Sequence, residues 1–132
     1  MRGPHAWRLI AALWTAVIVV FGVVPTHEAL AATAGVRENL VASLGHYFEY
    51  AFFAFALAVA FVGWKVEARA LALSAGIAVA LGWLIEVVQL PLPYRDFQVS
   101  DGLIDVAGVV TGLVVFSVVA PWRGTRRPER PS

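Results

Sequence analysis

Long apolar runs dominate this chain, and short polar segments separate them. Four runs reach about the 20 residues that a helix needs to cross a bilayer. They cover approximately residues 7–24, 44–64, 70–90 and 101–121. The runs are continuous, whereas membrane barrel strands are shorter and alternate in polarity. The pattern therefore predicts an all-α polytopic membrane protein, built as a bundle of four transmembrane helices.

The composition is typical of a membrane protein, and the length is sufficient for one domain. The 132 residues are 60% hydrophobic and only 14% charged, whereas about a quarter of a soluble domain is charged. We assign residues 1–122 to a single transmembrane domain and residues 123–132 to a basic cytoplasmic tail that is predicted to be disordered. The net charge of +1 argues against a nucleic-acid partner. The chain contains no cysteine, which excludes disulfides and thiolate metal sites.

Lysine and arginine are distributed unequally between the two sides of the predicted bundle. One side carries eight of them: Arg2, Arg8, Lys65, Arg69, Arg123, Arg126, Arg127 and Arg130. The other side carries only Arg37 and Arg95. Since basic residues favour the cytoplasmic side, both termini are expected in the cytoplasm, and the protein is expected in the cytoplasmic (inner) membrane.

The first apolar run has a second interpretation, as a secretory signal peptide. Arg2 and Arg8 make a positive start, and the "ALA" segment at residues 29–31 after the run resembles an A-x-A cleavage site. The run is at the long end for a signal peptide, so we favour a retained helix. Cleavage stays open as an alternative, and under both interpretations the second run starts outside.

With this topology, three helices carry polar groups towards the outer leaflet. These groups are His46, Glu49 and Tyr50 in the second run, Glu86 and Gln89 in the third, and Asp101 and Asp105 in the fourth, with Arg95 in the loop between the last two. Spacings of three and four residues place the members of each run on one helix face. The sequence therefore predicts a polar, carboxylate-rich site near the outer leaflet.

The depth of each residue separates candidate catalytic residues from supporting ones. Glu86 and Asp105 lie roughly 6 Å or more inside the helix ends, where ionisable groups are costly and usually functional. We take these two as catalytic candidates, together with Arg95 and His46. Binding or supporting roles are assigned to Glu49, Tyr50, Gln89 and Asp101.

Three of the four supporting residues also have a purely structural explanation. Asp101 follows Ser100 at a helix start, where a negative charge is favourable. Tyr50 has the character of an aromatic residue at the membrane interface, and Gln89 that of a donor in an interhelical hydrogen bond. The carboxylates nevertheless outnumber Arg95 and His46. Protonation, a bound cation or a cationic ligand must balance this excess of negative charge.

Small residues predict where the helices pack closely. Gly108 and Gly112 form a small-xxx-small pair in the fourth run, on the same face as Asp101 and Asp105. A similar stripe in the third run consists of Ala72, Gly76 and Ala80. We expect both stripes to be packing surfaces.

The order of these motifs resembles the VanZ-like family of small bacterial membrane proteins. The segments that carry the resemblance are "GHYFEYAFFAFAL", "EVVQ", the loop arginine and "SDGLIDVAGVVTG", within about residues 45–114. Two features depart from the family pattern: position 105 is Asp where the family often has Asn, and no basic residue shortly precedes His46. The family takes its name from low-level resistance to the glycopeptide teicoplanin. The resemblance therefore implies a site that binds or modifies a lipid-linked or cell-envelope molecule.

Several functional alternatives stay open at this level. A non-enzymatic transport, binding or assembly protein could use the same carboxylates, loaded with protons or cations. A divalent metal such as Zn²⁺, Mn²⁺ or Mg²⁺ suits the oxygen and imidazole ligands, but no HExxH motif supports one, and no other cofactor is evident. The sequence specifies neither the ligand nor the oligomeric state, and it leaves catalysis undecided.

Overall fold

Four helices make up the described part of the protein. A computed structural model describes residues 4–24, 37–93 and 99–124. The helices are α1 (Pro4–Val23), α2 (Arg37–Val62), α3 (Ala68–Gln89) and α4 (Val99–Gly124). Each contains a segment long and apolar enough to cross a membrane. The prediction of an all-α, four-helix, multi-pass membrane protein is confirmed.

Proline and glycine explain where three of the helices end. Residues that precede a proline disfavour the helical conformation, and α1 and α3 both end two residues before one. Helix α2 ends beside Gly63, whose φ of 66° is a left-handed conformation that glycine adopts without steric cost. The backbone N–H of Gly63 donates to the carbonyl of Val59 at 2.8 Å, which closes the last turn.

Helix α2 starts earlier than the hydrophobic pattern predicts. Its first residue is Arg37, so the predicted start at Leu44 was wrong by seven residues (44 minus 37). The intervening segment "RENLVAS" is too polar at its start to extend an apolar run, yet it forms helix. Hydropathy finds the part of a helix that crosses the membrane and not the end of the helix. As a result, His46 lies roughly 13 Å from the start of α2 at 1.5 Å per residue.

Helix α2 lies at the centre of the bundle and packs against the other three helices, most extensively against α4. Glycines in α4 bring the two backbones into contact. A Cβ atom on Gly108 would overlap the carbonyl oxygen of Tyr47, and one on Gly112 would overlap that of Ala51. These two glycines thus lie at the closest approach between α4 and α2.

The prediction that the second stripe, on α3, is a packing surface was wrong. Ala72, Gly76 and Ala80 are exposed on the bundle surface. The face that packs inside the bundle instead carries Ala70, Ser74, Ala78 and Gly82, and it leads to Glu86. Helix α3 has two small-residue stripes, offset by two positions, and spacing alone does not distinguish the stripe that faces protein from the one that faces lipid.

Aromatic and arginine side chains join α1 to the bundle near the chain termini. The Trp7 ring lies 5.8 Å from Phe55 and 5.9 Å from Trp64, both edge to face. Arg8 Nε donates to the carbonyl of Ala60 at 3.3 Å. The Arg123 guanidinium lies 5.1 Å from the centre of the Trp64 ring, within the range of a cation–π contact. These contacts fix α1 and α4 to the C-terminal end of α2.

Candidate functional site

Buried polar side chains concentrate at one end of the bundle. At this end, which we call the site end, α1 and α3 finish and α2 and α4 begin. Glu86, Gln89 and Asp105 are respectively 2%, 4% and 3% exposed there. Buried polar groups need hydrogen-bond partners or compensating charge, so the neighbours of these three residues define the candidate site.

A histidine–aspartate pair joins α2 to α4 at the site end. His46 Nδ1 lies 3.1 Å from Asp105 Oδ1, and the side chains are respectively 23% and 4% exposed. Because an ionised carboxylate can only accept, Nδ1–H of His46 donates to an ionised Asp105. The other imidazole nitrogen, Nε2, makes no hydrogen bond to any described residue. The pair therefore leaves one ring nitrogen able to accept a proton.

Tyr50 occupies the centre of the site, between α2, α3 and α4. A Cβ atom at Gly82 would lie 3.0 Å from Asp105 Oδ2 and 3.3 Å from Tyr50 Cε1. Tyr50 is 2% exposed, so its side chain packs inside the bundle. Its hydroxyl has no hydrogen-bond partner within residues 4–24, 37–93 and 99–124. The absence of a side chain at Gly82 is what allows Tyr50 and Asp105 to approach α3.

Helix α3 brings Glu86 and Gln89 to this end of the bundle. Glu86 lies one turn beyond Gly82 on the buried face of α3. Gln89 Nε2 donates to the carbonyl of Gly22 at 2.7 Å. Gln89 therefore makes an interhelical hydrogen bond, which ties the end of α3 to the end of α1.

Asp101 and Glu49 lie nearer the edge of the site, and both are half-buried. Asp101 lies in the first turn of α4, where the helix dipole favours negative charge. The backbone carbonyl of Glu49 accepts a hydrogen bond from Trp14 Nε1 at 3.1 Å. The Glu49 carboxylate makes no hydrogen bond or ion pair with any residue that the structure describes.

A cavity of about 690 Å³ opens beside these residues, between α1, the first half of α2 and the end of α3. His46, Glu49, Tyr50 and Gln89 contribute its polar groups. The rest of the lining is mostly apolar: Trp14, Val17, Ile18, Phe21, Gly22, Ala42, Gly45, Phe48, Phe52 and Ile85. The volume falls within the range of small-molecule sites.

Some sequence-based predictions concern residues beyond the described ranges. Arg95 belongs to the segment 94–98, and the suggested cleavage site and the basic tail from residue 125 onwards also lie outside. No group of three His, Asp or Glu side chains among the described residues has the geometry of a metal site. The arginine and metal hypotheses therefore stay predictions.

Sequence reasoning missed Gly82, Trp14 and the contact between Tyr47 and Thr111. The Thr111 hydroxyl donates to Ala107 O at 3.0 Å, so the Tyr47 hydroxyl must donate to Thr111 Oγ1 at 2.7 Å. Gly82 carried a usable signal because it continues a four-residue spacing that ends at Glu86. Trp14 carried none, since its role depends on how α1 packs against α2.

Comparison with known proteins identifies the family. The family model described as VanZ/LLP1 matches residues 5–120. The chain belongs to the VanZ/LLP1 family. The match includes α1 as well as the motif-bearing residues 45–114, so the VanZ/LLP1 unit corresponds to the whole four-helix bundle. No curated protein and no solved structure gave a significant match to the chain.

Proposed function

We propose that this VanZ/LLP1 protein binds, and through His46 modifies, a lipid-linked or cell-envelope molecule in the outer leaflet of the cytoplasmic membrane. The observation that carries the proposal is that His46, which is paired with Asp105, lines a cavity whose other lining side chains are largely apolar. Such a cavity suits the hydrocarbon part of a membrane ligand, while the pair offers acid–base chemistry to its headgroup. The family's link to teicoplanin resistance agrees with an envelope ligand.

The chemistry follows from the protonation of the pair. Asp105 accepts a hydrogen bond from Nδ1–H of His46 and thereby orients the imidazole ring. The other ring nitrogen, Nε2, can then accept a proton from a headgroup hydroxyl or a water. Glu86 is the second acid–base candidate because it is only 2% exposed on the face of α3 that packs inside the bundle. We retain Arg95 as a candidate contact for an anionic headgroup.

The proposal is tested with the full chain in lipid nanodiscs made from a total lipid extract of bacterial cytoplasmic membranes. Mass spectrometry compares the lipids retained by the protein with the bulk extract and follows headgroup masses over time. We expect selective retention of an envelope lipid, accompanied by a change in headgroup mass. Retention without a mass change supports binding alone. A retained lipid composition equal to the bulk, with no mass change, contradicts the proposal.

The outer-leaflet location depends on the orientation of the bundle. The unequal distribution of basic residues supports cytoplasmic termini, which puts the site end outside. A reporter that is active only in the cytoplasm should therefore be active when fused after Ser132. A reporter that is active only outside should be active when inserted between α1 and α2. The reverse pattern of activities would place the site at the inner leaflet.

A second candidate function is transport or assembly that uses carboxylates loaded with protons or cations. The Glu49 carboxylate favours it, because this group lines the cavity and has no bonding partner in the described part of the chain. A flux assay in proteoliposomes distinguishes the two functions. Proton or cation flux that depends on Glu49, with no selective lipid retention, would favour transport.

A further inference from the structure

The cavity opens towards lipid along the seam between α1 and α2. Its lining residues on these helices fall within the membrane-crossing segments His5–Val23 and Leu40–Val62. Phe21 and Phe48 line the cavity and are also 55% and 63% exposed on the bundle surface. In a bilayer this surface faces hydrocarbon chains. We therefore expect a lipid hydrocarbon chain to reach the cavity sideways, from the membrane.

The polar end of the cavity has two groups that bond to no residue in the part of the chain that the structure describes. The Gln89 amide and His46 Nδ1 are already engaged with Gly22 and Asp105. The Glu49 carboxylate and the Tyr50 hydroxyl bond to no residue in the described ranges. Tyr50 is nine-tenths buried or more, and a buried hydroxyl without a partner is costly. The Glu49 carboxylate needs a partner that donates hydrogen bonds, and a cationic partner is best. The Tyr50 hydroxyl can accept a hydrogen bond from the same partner.

We infer that the cavity takes an amphiphile with an ammonium headgroup, its hydrocarbon chain between α1 and α2 and its ammonium on Glu49. The inference rests on the proposed function and specifies the class of ligand. The ammonium donates hydrogen bonds to the Glu49 carboxylate and the Tyr50 hydroxyl. The hydrocarbon chain of the ligand contacts the aromatic side chains of Trp14, Phe21 and Phe52 in the cavity wall.

Trp14 reports occupancy of the cavity because it lies in the cavity wall. The full-length protein in micelles of a non-ionic detergent is titrated with a brominated alkylammonium, or with a brominated alkyl carboxylate of equal chain length. Bromine quenches tryptophan fluorescence at close range. The Trp14→Phe variant, measured in parallel, identifies the part of the quenching that belongs to Trp14. We expect the ammonium to be preferred over the carboxylate by about tenfold in apparent affinity.

Matched variants distinguish the contact made by the ammonium headgroup from the contact made by the hydrocarbon chain. Glu49→Gln removes the charge with little change in shape and should abolish the preference for ammonium. Gly45→Leu should reduce quenching by both probes, because a side chain at Gly45 meets no protein atom within 4 Å and extends from the cavity wall. Gly76→Leu is the control: its Cβ also meets nothing within 4 Å, but Gly76 is exposed on α3, away from the cavity.

The outcomes distinguish this inference from the proposed function. Equal quenching of Trp14 by both probes, or an ammonium preference that survives in Glu49→Gln, overturns the inference. Equal effects of Gly45→Leu and Gly76→Leu also overturn it, because the hydrocarbon chain of the probe would then bind outside the cavity. Selective retention of envelope lipids alongside any of these results leaves the proposed function intact. Failure of lipid retention, with Trp14 still quenched preferentially by the ammonium, would reject the proposed function alone.

Discussion

The Gly112→Ala variant is expected to destabilise the bundle by about 3 kcal/mol, although the change adds only one methyl group. A Cβ at this position would overlap the backbone carbonyl oxygen of Ala51. Backbone atoms cannot move aside as a side-chain rotamer can, so α4 must shift away from α2. The shift would weaken the most extensive helix interface of the described bundle.

The same substitution at Gly76 provides the control. A Cβ there meets nothing within 4 Å, and replacing a glycine with alanine inside a helix contributes up to about 1 kcal/mol of stability. Gly76→Ala should therefore raise the free energy of unfolding, whereas Gly112→Ala lowers it. Unfolding in mixed detergent and SDS measures both. A Gly112→Ala protein as stable as the wild type would show that α2 and α4 do not touch at this point.

His46→Gln and Asp105→Asn are expected to slow headgroup turnover by about 10²-fold or more, the usual contribution of a positioned general base. The first variant removes the base, and the second removes the carboxylate that orients it. Because the two residues act as one unit, the double variant should lose little more than either single variant. The initial rate of the headgroup mass change measures each effect.

Ser117→Ala is the control for these variants, because the Ser117 hydroxyl donates to Leu113 O within α4 and bonds to no other described residue. All variants must be present in the nanodiscs at equal levels. Losses that multiply in the double variant would show that His46 and Asp105 act independently. Wild-type turnover in His46→Gln would remove His46 from the mechanism.

Much of the fold and part of the site were predictable from the sequence. Continuous apolar runs are sufficient to predict four membrane helices, because the bilayer leaves few alternatives for a spanning segment. The order of polar residues along these runs also predicted that His46, Glu86 and Asp105 would lie at one end of the bundle. The contact between His46 and Asp105 was not predictable, since it depends on how α2 and α4 are rotated against each other.

The errors have identifiable physical causes. The start of α2 was placed at Leu44 instead of Arg37 because the polar residues of "RENLVAS" form helix without extending the apolar run. The exposed stripe through Gly76 was preferred because small residues alone do not show which face meets protein. The cavity could not be predicted at all, because Trp14 and the other residues of α1 that line it are ordinary membrane residues by composition.

The contact between His46 and Asp105 in a lipid bilayer tests the central claim most directly. Solid-state NMR on protein labelled with ¹⁵N in histidine and ¹³C in the aspartate carboxyl groups can detect it, and the His46→Gln variant assigns the signal. We expect dipolar coupling between the His46 ring nitrogen and the Asp105 carboxyl carbon, as the Nδ1–Oδ1 distance of 3.1 Å requires. Assigned signals for both residues without coupling between them would contradict the account.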